Sequence, residues 1–335
     1  VSTSEPRISV VIPVRGGGDA FKQCLAAVVA STLAPHELIV VADGETDNSA
    51  AVAESYGAKV IRLPVSIGPA KARNIGAQAA SGEILFFVDA DVVIKPESVG
   101  LVREFFQDYQ DIAAIFGSYD EQPGAANFLS QYKNLYHHFI HQMANEEAST
   151  FWSGCGAMRR DIFLALGGFD ERFEKPSIED IELGYRLRRA GYEIRVCKQL
   201  QCKHLKEWRI GSLLKADFFY RALPWTQLIL RDGKLPNDLN LRVSQRVSML
   251  SAYGILLSVG IAILQPLALL LAVVCFLLLF GLNVPLYRFF YRQRGLLFMS
   301  KAVFWQWLYY IYSGIAFVVG VIRYPFDKRE SCRCN

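Results

Sequence analysis

Phe86-Phe87-Val88-Asp89-Ala90-Asp91 runs from an apolar stretch directly into two carboxylates. Ile84 to Val88 is short and wholly apolar, which reads as a strand buried on both faces. In extended chain, residues i and i+2 project to the same side. Asp89 and Asp91 are therefore expected to approach one ligand at the strand's carboxyl edge, where open α/β sheets bind ligands. Two close carboxylates repel each other unless a cation lies beside them, and a hard divalent ion such as Mg²⁺ or Mn²⁺, held also by diphosphate oxygens, suits them. A solvated turn after a strand accounts for the same residues, so the neighbouring segments decide.

Upstream, Ile8-Ser9-Val10-Val11-Ile12-Pro13 is another apolar run, bounded by Pro13 and Gly16-Gly17-Gly18. A helix is predicted from Ala20 to Ala30 with Asp19 as its N-cap, then a strand at Leu38–Val41. The pattern repeats with a helix over 48–56 ended by Gly57, a strand over 59–63 and a helix over 69–80. Strand and helix alternating at this interval predict a mainly parallel sheet covered on both faces. After Asp91 come a helix near 97–109, a strand near 113–118 and a polar stretch over 119–149. Helices follow over 160–166 and 178–190, closed by Gly167-Gly168 and Gly191, with a last strand over 193–197.

The apolar end has a different character. Val247 to Tyr287 is 41 residues without a charge, too long for one bilayer crossing of roughly 20 residues. Two helices turning near Gln265-Pro266 are expected, over 247–265 and 266–287. A third apolar segment, 302–322, clusters Trp305, Trp307, Tyr309 and Tyr310 as an interfacial belt would. Buried core helices of a soluble protein are the alternative. Arg242 and Arg246 before the first span, with Arg288, Arg292 and Arg294 after the second, place the catalytic side in the cytoplasm. The tail, 327–335, carries Lys328, Arg329 and Arg333 and argues the other way, so the third segment either spans or lies in the interface.

Composition agrees with a membrane protein. Of 335 residues, 52% are hydrophobic and only 20% charged, against about 25% in ordinary soluble domains. The net charge of +4 is unevenly spread: −11 over residues 1–185, +9 over 186–246 and +6 over 247–335. No basic face covers a globular domain, which argues against nucleic acid as a partner. Basic and aromatic residues mix over 208–246, where Arg209, Lys215, Phe218, Phe219, Arg221 and Trp225 suit helices lying among lipid headgroups. Seven scattered cysteines make no disulfide framework, and Cys202-Lys203-His204 and Cys332-Arg333-Cys334 are only sparse metal-ligand spacings. No basic-then-apolar leader is expected at the N-terminus.

Further residues carry chemistry. Asp43, at the end of the second strand, is placed to accept hydrogen bonds from a nucleobase N–H, although a capped turn explains it equally. Lys71 and Arg73 stand at a helix start, a natural neighbourhood for anions. The series Ser9-Val10-Val11-Ile12-Pro13, Val41-Ala42-Asp43-Gly44-Glu45-Thr46-Asp47, Ala72-Arg73-Asn74-Ile75-Gly76 and Asp89-Ala90-Asp91 resembles the successive motifs of the family 2 glycosyltransferases. Downstream, Trp152-Ser153-Gly154-Cys155-Gly156-Ala157 and Gly167-Gly168-Phe169-Asp170-Glu171 look like the family's acceptor-side loop and the helix after it. Ile178-Glu179-Asp180-Ile181-Glu182-Leu183 with Arg186 is similar to its catalytic segment. The likeness covers about residues 7–210 and implies an α/β GT-A fold, a Rossmann-like mixed sheet flanked by helices, over residues 1–207, with the transmembrane region behind it at 247–326.

Carried over, the resemblance implies that Pro13, Arg15 and Asp43 line base and ribose, that Lys71 and Arg73 lie near the nucleotide, and that Asp89 contacts ribose or metal. It implies Asp91 as a metal ligand, Trp152, Gly154 and Glu179 on the acceptor side, and Asp180 as general base. His204, after the last strand, either completes the metal shell or is a lone exposed histidine; His137, His138 and His141 read as structural. Ala42 departs from the family, where many members carry another Asp, and leaves nucleotide identity open. The expected activity is metal-dependent, inverting transfer of a sugar from a nucleotide-diphosphate sugar (UDP- or GDP-sugar) to a lipid-linked or other membrane-proximal acceptor hydroxyl. The alternatives are a processive polysaccharide synthase, a dead nucleotide-binding scaffold and a nucleotidyltransferase. Processive members carry QxxRW, whereas Arg221-Ala222-Leu223-Pro224-Trp225 keeps Arg and Trp at another spacing.

Overall fold

The computed structural model describes residues 5–44 and 46–333, with side chains as far as Phe326. The chain divides into two compact units, Val1–Trp208 and Arg209–Asn335.

The first unit is built on an eight-stranded mixed sheet. Its elements are β1 (Ile8–Val14), α1 (Gly18–Val29), β2 (Glu37–Asp43), α2 (Ser49–Ser55), β3 (Lys59–Leu63), α3 (Pro69–Ala79), β4 (Ile84–Val88) and β5 (Val92–Ile94). There follow α4 (Ser98–Asp108), β6 (Ile112–Tyr119), α5 (Phe128–Gln142), β7 (Cys155–Arg159), α6 (Arg160–Ala165), α7 (Glu179–Arg189) and β8 (Glu193–His204). The sheet order is β3-β2-β1-β4-β7-β6-β8-β5. Strands β1 to β4 pair in parallel, β7 runs antiparallel to β4 and β6, and β5 is antiparallel to β8. The parallel half gathers the carboxyl ends of β1, β2 and β4 on one edge. Chains that enter the sheet as Val10, Ile12, Val40, Ile84 and Phe86 are fully buried, as strands covered on both faces must be.

Four expectations need correction. Asp19 does not cap α1: Gly17 holds that position and Asp19 lies in the first turn, where its charge still suits the helix dipole. The polar stretch after Tyr119 contains the 15-residue helix α5, which buries Leu129, Tyr132, Leu135 and Ile140. The last strand does not stop at Cys197 but runs on to His204, because its second half pairs with β5 and the end of β6. Asp89 and Asp91 sit in a turn between β4 and β5 rather than in extended chain, with the Val92 N–H donating to the Asp89 carbonyl at 3.0 Å. The same-side argument therefore fails, and the two carboxylates meet different partners.

Helix α7 lies very close to the segment before β7. A methyl group at Gly184 would stand 2.4 Å from the Phe151 nitrogen, nearer than any side chain tolerates. Gly184→Ala is expected to destabilise this unit by about 1–3 kcal/mol through overpacking, read as a lower midpoint in thermal unfolding followed by tryptophan fluorescence.

The second unit is helical: α8 (Ile210–Lys215), a π-helical turn at Ala216–Ala222, α9 (Leu223–Asp232), α10 (Val243–Ile261) and α11 (Ala268–Arg333). A turn around Gln265 and Pro266 separates α10 from α11, and Gly295, at φ 79°, breaks α11. Contacts step outward on either side of that break, from Phe290–Phe298 to Tyr287–Trp307 and Asn283–Tyr310. The two halves of α11 thus run antiparallel. Ser248 and Gln245 of α10 join the same polar knot through Asn283 and Tyr310. Ala268–Phe326 is long and apolar enough to cross a membrane. Much of its apolar surface is open, as at Leu270 and Leu277, and Ile263 and Leu264 in the preceding turn are almost fully exposed. Cys332 and Cys334 lie outside the residues whose side chains are described.

Candidate active site

Strand β4 delivers the carboxylate pair, α3 the basic residues and α7 the acidic segment. Their meeting point is Arg73, whose side chain is only 6% exposed. Its Nη2 donates to Asp89 Oδ1 at 2.6 Å and its Nη1 to Glu179 Oε1 at 3.0 Å. The Phe169 ring lies beside the guanidinium, 5.6 Å from its centroid. Arg73 is therefore an internal strut rather than a surface anion contact. Lys71, half-exposed, is the open cation of this helix, 3.7 Å from Glu171.

Asp180 is the second residue of α7 and half-buried. Its Oδ2 accepts from the Ser153 N–H at 3.2 Å, and its Oδ1 from the Ile181 N–H at 2.8 Å. Burial, aided by the neighbouring Glu179 charge, pushes the Asp180 carboxyl up to about 7; the two N–H groups and Arg73 pull the other way without cancelling this. Three carboxyls around one guanidinium also leave an excess of negative charge, which adds to the effect of burial on Asp180. A carboxyl poised near neutrality is suited to proton transfer at physiological pH.

Asp91 turns towards the end of β8. Its Oδ2 lies 3.5 Å from His204 Nε2, an imidazole that stacks on Tyr119 at 4.3 Å between centroids. Burial opposes the charged form of Asp91, but the His204 hydrogen bond and the His204 and Lys206 charges hold its carboxyl below the usual range. His204 is buried, not a lone exposed histidine. Among the described residues no three His, Cys, Asp or Glu side chains form a ready-made metal cage. Asp91 and His204 nonetheless supply one oxygen and one nitrogen donor side by side, a fit for an ion whose remaining ligands come from a diphosphate.

Asp43 is buried at the end of β2 and is spent largely on its own fold. Its carboxylate accepts from Ser66 Oγ at 3.0 Å, the Ile67 N–H at 2.6 Å and the Gly68 N–H at 3.0 Å. A nucleobase would have to share it with that turn. Gly68 itself has φ +93°, and a methyl group there would stand 2.3 Å from the Glu174 carbonyl. Pro13, next to last in β1, pairs with Val41, and Arg15 is exposed just beyond the strand.

On the opposite side, Trp152 stands edge-on to Tyr119 at 4.9 Å. Gly154 is required there because a side chain would strike the Trp152 ring at 2.7 Å, and its carbonyl accepts from the Asp89 N–H at 3.2 Å. His138 and His141 are buried with their Nδ1 atoms on the Tyr119 and Gly117 carbonyls, as structural histidines. Two supports lie inside the family-like motif segments, at positions to which the sequence assigns no role. Asn74 holds the loop after α6 through the Phe169 backbone, its Oδ1 accepting from the N–H at 2.8 Å and its Nδ2 donating to the carbonyl at 2.9 Å. Asp47 accepts from the Gly18 N–H and the Ser49 N–H, tying the loop after β1 to α2.

The family model described as glycosyl transferase family 2 matches residues 9–167, and one described as the N-terminal domain of galactosyltransferase matches residues 133–208. Over residues 9–167 the chain is a family 2 glycosyltransferase domain. Family relatives include the uncharacterised glycosyltransferase YibD of Escherichia coli, 36% identical over 28% of this chain and 28% of that protein. The validoxylamine A glucosyltransferase of Streptomyces hygroscopicus is 27% identical over 65% of this chain and 57% of its own length. The O-antigen chain rhamnosyltransferase WbaN of Salmonella anatum is 25% identical over 66% and 75%. The chain thus spans less than two thirds of the first two. Among solved structures, the mannosyltransferase PcManGT of Pyrobaculum calidifontis, in complex with GDP-Man and Mn²⁺, superposes with a TM-score of 0.61 at 15% identity, over 94% of this chain and 88% of that one. TarS 1-349 of S. aureus, in complex with UDP-GlcNAc, gives 0.51 at 20% identity, over 68% and 66%. At such identities the likeness establishes the GT-A fold alone.

Proposed function

We propose that this chain transfers a sugar from a nucleotide-diphosphate sugar to an acceptor hydroxyl at a membrane surface, with inversion at the anomeric carbon. The observation that carries the reading is Asp180: a half-buried carboxyl at a helix start, raised to about 7 and fixed by two backbone N–H groups. Inversion requires a base on the face opposite the leaving nucleotide, to take the acceptor proton as that oxygen attacks. Asp180 is that base. Asp91 and His204 would hold a divalent ion. When bound, such an ion supplies charge neutralisation for the departing diphosphate. Lys71 adds a mobile positive charge at the N-terminus of α3, and Trp152 with Gly154 shapes the acceptor side. Both a GDP- and a UDP-sugar complex occur among the structural neighbours, and Asp43, sharing its carboxylate with the 66–68 turn, fits either base through a single N–H.

The Arg209–Asn335 unit is read as the membrane anchor, with the catalytic unit on the cytoplasmic face. Exposed apolar rows along Ala268–Phe326 and basic residues at 242, 246, 288, 292 and 294 support this. Membranes carrying the expressed chain are expected to retain it through a carbonate or high-salt wash and release it only in detergent; release by either wash overturns the anchor. The activity is tested with purified chain, Mn²⁺, a panel of UDP- and GDP-sugars and a polyprenyl-linked acceptor. Formation of a nucleoside diphosphate together with glycosylated acceptor is expected. Release of inorganic diphosphate would indicate a nucleotidyltransferase instead, and a ladder of long products a processive synthase.

A further inference from the structure

Arg73 is too deeply buried and too fully engaged to be an ordinary nucleotide contact. Its two terminal nitrogens are taken by carboxylates of different origin: Asp89 from the turn after β4, and Glu179 from the first turn of α7. Glu179 is further fixed by the Ser177 N–H, which donates to its Oε2 at 2.9 Å. The Arg73 Nε lies buried without an acceptor among the described residues. A buried guanidinium that leaves one donor unsatisfied is costly.

We propose that Arg73 is a positioning residue that sets the distance between donor and base: through Asp89 it holds the donor-side turn, and through Glu179 it holds the start of α7, and hence Asp180. This rests on the reading of Asp180 as general base. Two further links brace the same unit from outside Arg73. The Asp89 N–H donates to the Gly154 carbonyl, and the Ser153 N–H, one residue earlier, donates to Asp180. Donor turn, acceptor loop and base therefore form one closed circuit: Asp89, Arg73, Glu179–Asp180, Ser153–Gly154 and back to Asp89. Arg73 is its only side chain that reaches both carboxylate-bearing segments. Lysine, with a single point of charge, can hold one of the two carboxylates but not both in this fork.

The test compares Arg73→Lys and Arg73→Gln with the unaltered chain, measuring the dissociation constant for the nucleoside diphosphate with Mn²⁺ by calorimetry, and kcat and KM for transfer. If Arg73 sets the distance between donor and base, kcat falls about 100-fold in Arg73→Gln, the order of loss expected when a reacting group is displaced by about 1 Å, while nucleotide affinity, felt only through the loosened donor-side turn, falls by less than tenfold. Arg73→Lys recovers part of that kcat. In Arg73→Gln/Glu179→Gln, which removes the charge left unpaired, the second substitution costs less than it does alone. A tenfold or larger loss of nucleotide affinity with kcat preserved, in either single variant, overturns the proposal and makes Arg73 a donor contact. Should Arg73→Gln not fold, Arg73→Lys decides between the same two outcomes. Failure is separable from that of the base assignment: an inactive Asp180→Asn beside a fully active Arg73→Gln defeats this inference only, whereas a fully active Asp180→Asn defeats the base.

Discussion

Asp180→Asn is expected to bind the donor nucleotide with unchanged affinity and to lose about 10²- to 10⁴-fold in kcat, the range that a positioned general base contributes. The asparagine is nearly isosteric and its amide oxygen can still accept from the Ser153 N–H, so that only the Ile181 N–H at the start of α7 loses its partner; with the variant's thermal midpoint little changed, the loss reports proton transfer rather than collapse of α7. The pH profile gives the same argument a sign. Burial and Glu179 raise the Asp180 carboxyl to about 7, and the active form is the ionised one. Activity is therefore expected to fall about tenfold per pH unit below 7 and to level off above it. An exposed aspartate would give a flat profile down to about pH 4. In Asp180→Glu, the extra methylene moves the carboxylate while keeping its charge, so partial activity with a displaced acid limb is expected. Full activity of Asp180→Asn with purified acceptor would refute the assignment.

What the sequence disclosed follows physical lines. The parallel half was legible because Val10 to Ile12, Val40 and Ile84 to Val88 are uninterrupted apolar runs set off by Pro13, Gly57 and the Gly16–Gly18 cluster. Strand β7 was not, because Gly156 must stay bare where the Trp152 carbonyl approaches to 2.2 Å of a would-be side chain, and so dilutes the apolar pattern. Helix α5 hides for another reason: buried Asn134, His138 and His141 satisfy themselves on the backbone carbonyls of β6 and the turn after it, and polar residues so used look like a loop in one dimension. The candidate site divides in the same way. Asp91, Asp180 and His204 stand out as carboxylates and an imidazole at element ends. The role of Arg73 depends on Glu179, 106 positions away, and no local pattern announces a partner at that distance. Asp43 shows the reverse: its place at a strand end suggests a ligand contact, while its second task, accepting from three donors of the 66–68 turn, has no signal at that position.

Chelation gives the second large effect. Treating the purified chain with EDTA is expected to lower turnover by at least about 100-fold, since a Lewis-acidic ion contributes several kcal/mol to charge stabilisation, and added Mn²⁺ should restore it. The residues that make this specific are Asp91 and His204. Asp91 is held ionised by its histidine neighbour, and a ligand that needs no deprotonation at neutral pH binds metal without a proton cost. Asp91→Asn is accordingly expected to be almost as damaging as chelation and to raise the Mn²⁺ concentration needed for half-maximal rate. His204→Ala should weaken metal binding by a smaller factor, because diphosphate oxygens and water can take the vacated position. Tyr119 adds a discriminating control: its ring stacks on His204 at 4.3 Å. Tyr119→Leu should loosen the imidazole and shift the Mn²⁺ requirement by about 10- to 100-fold, as loss of a supporting group does, while leaving the rate at saturating Mn²⁺ nearly unchanged. An enzyme indifferent to EDTA, with Asp91→Asn fully active, would mean that the acidic turn after β4 serves the fold and that Lys71 alone faces the leaving diphosphate.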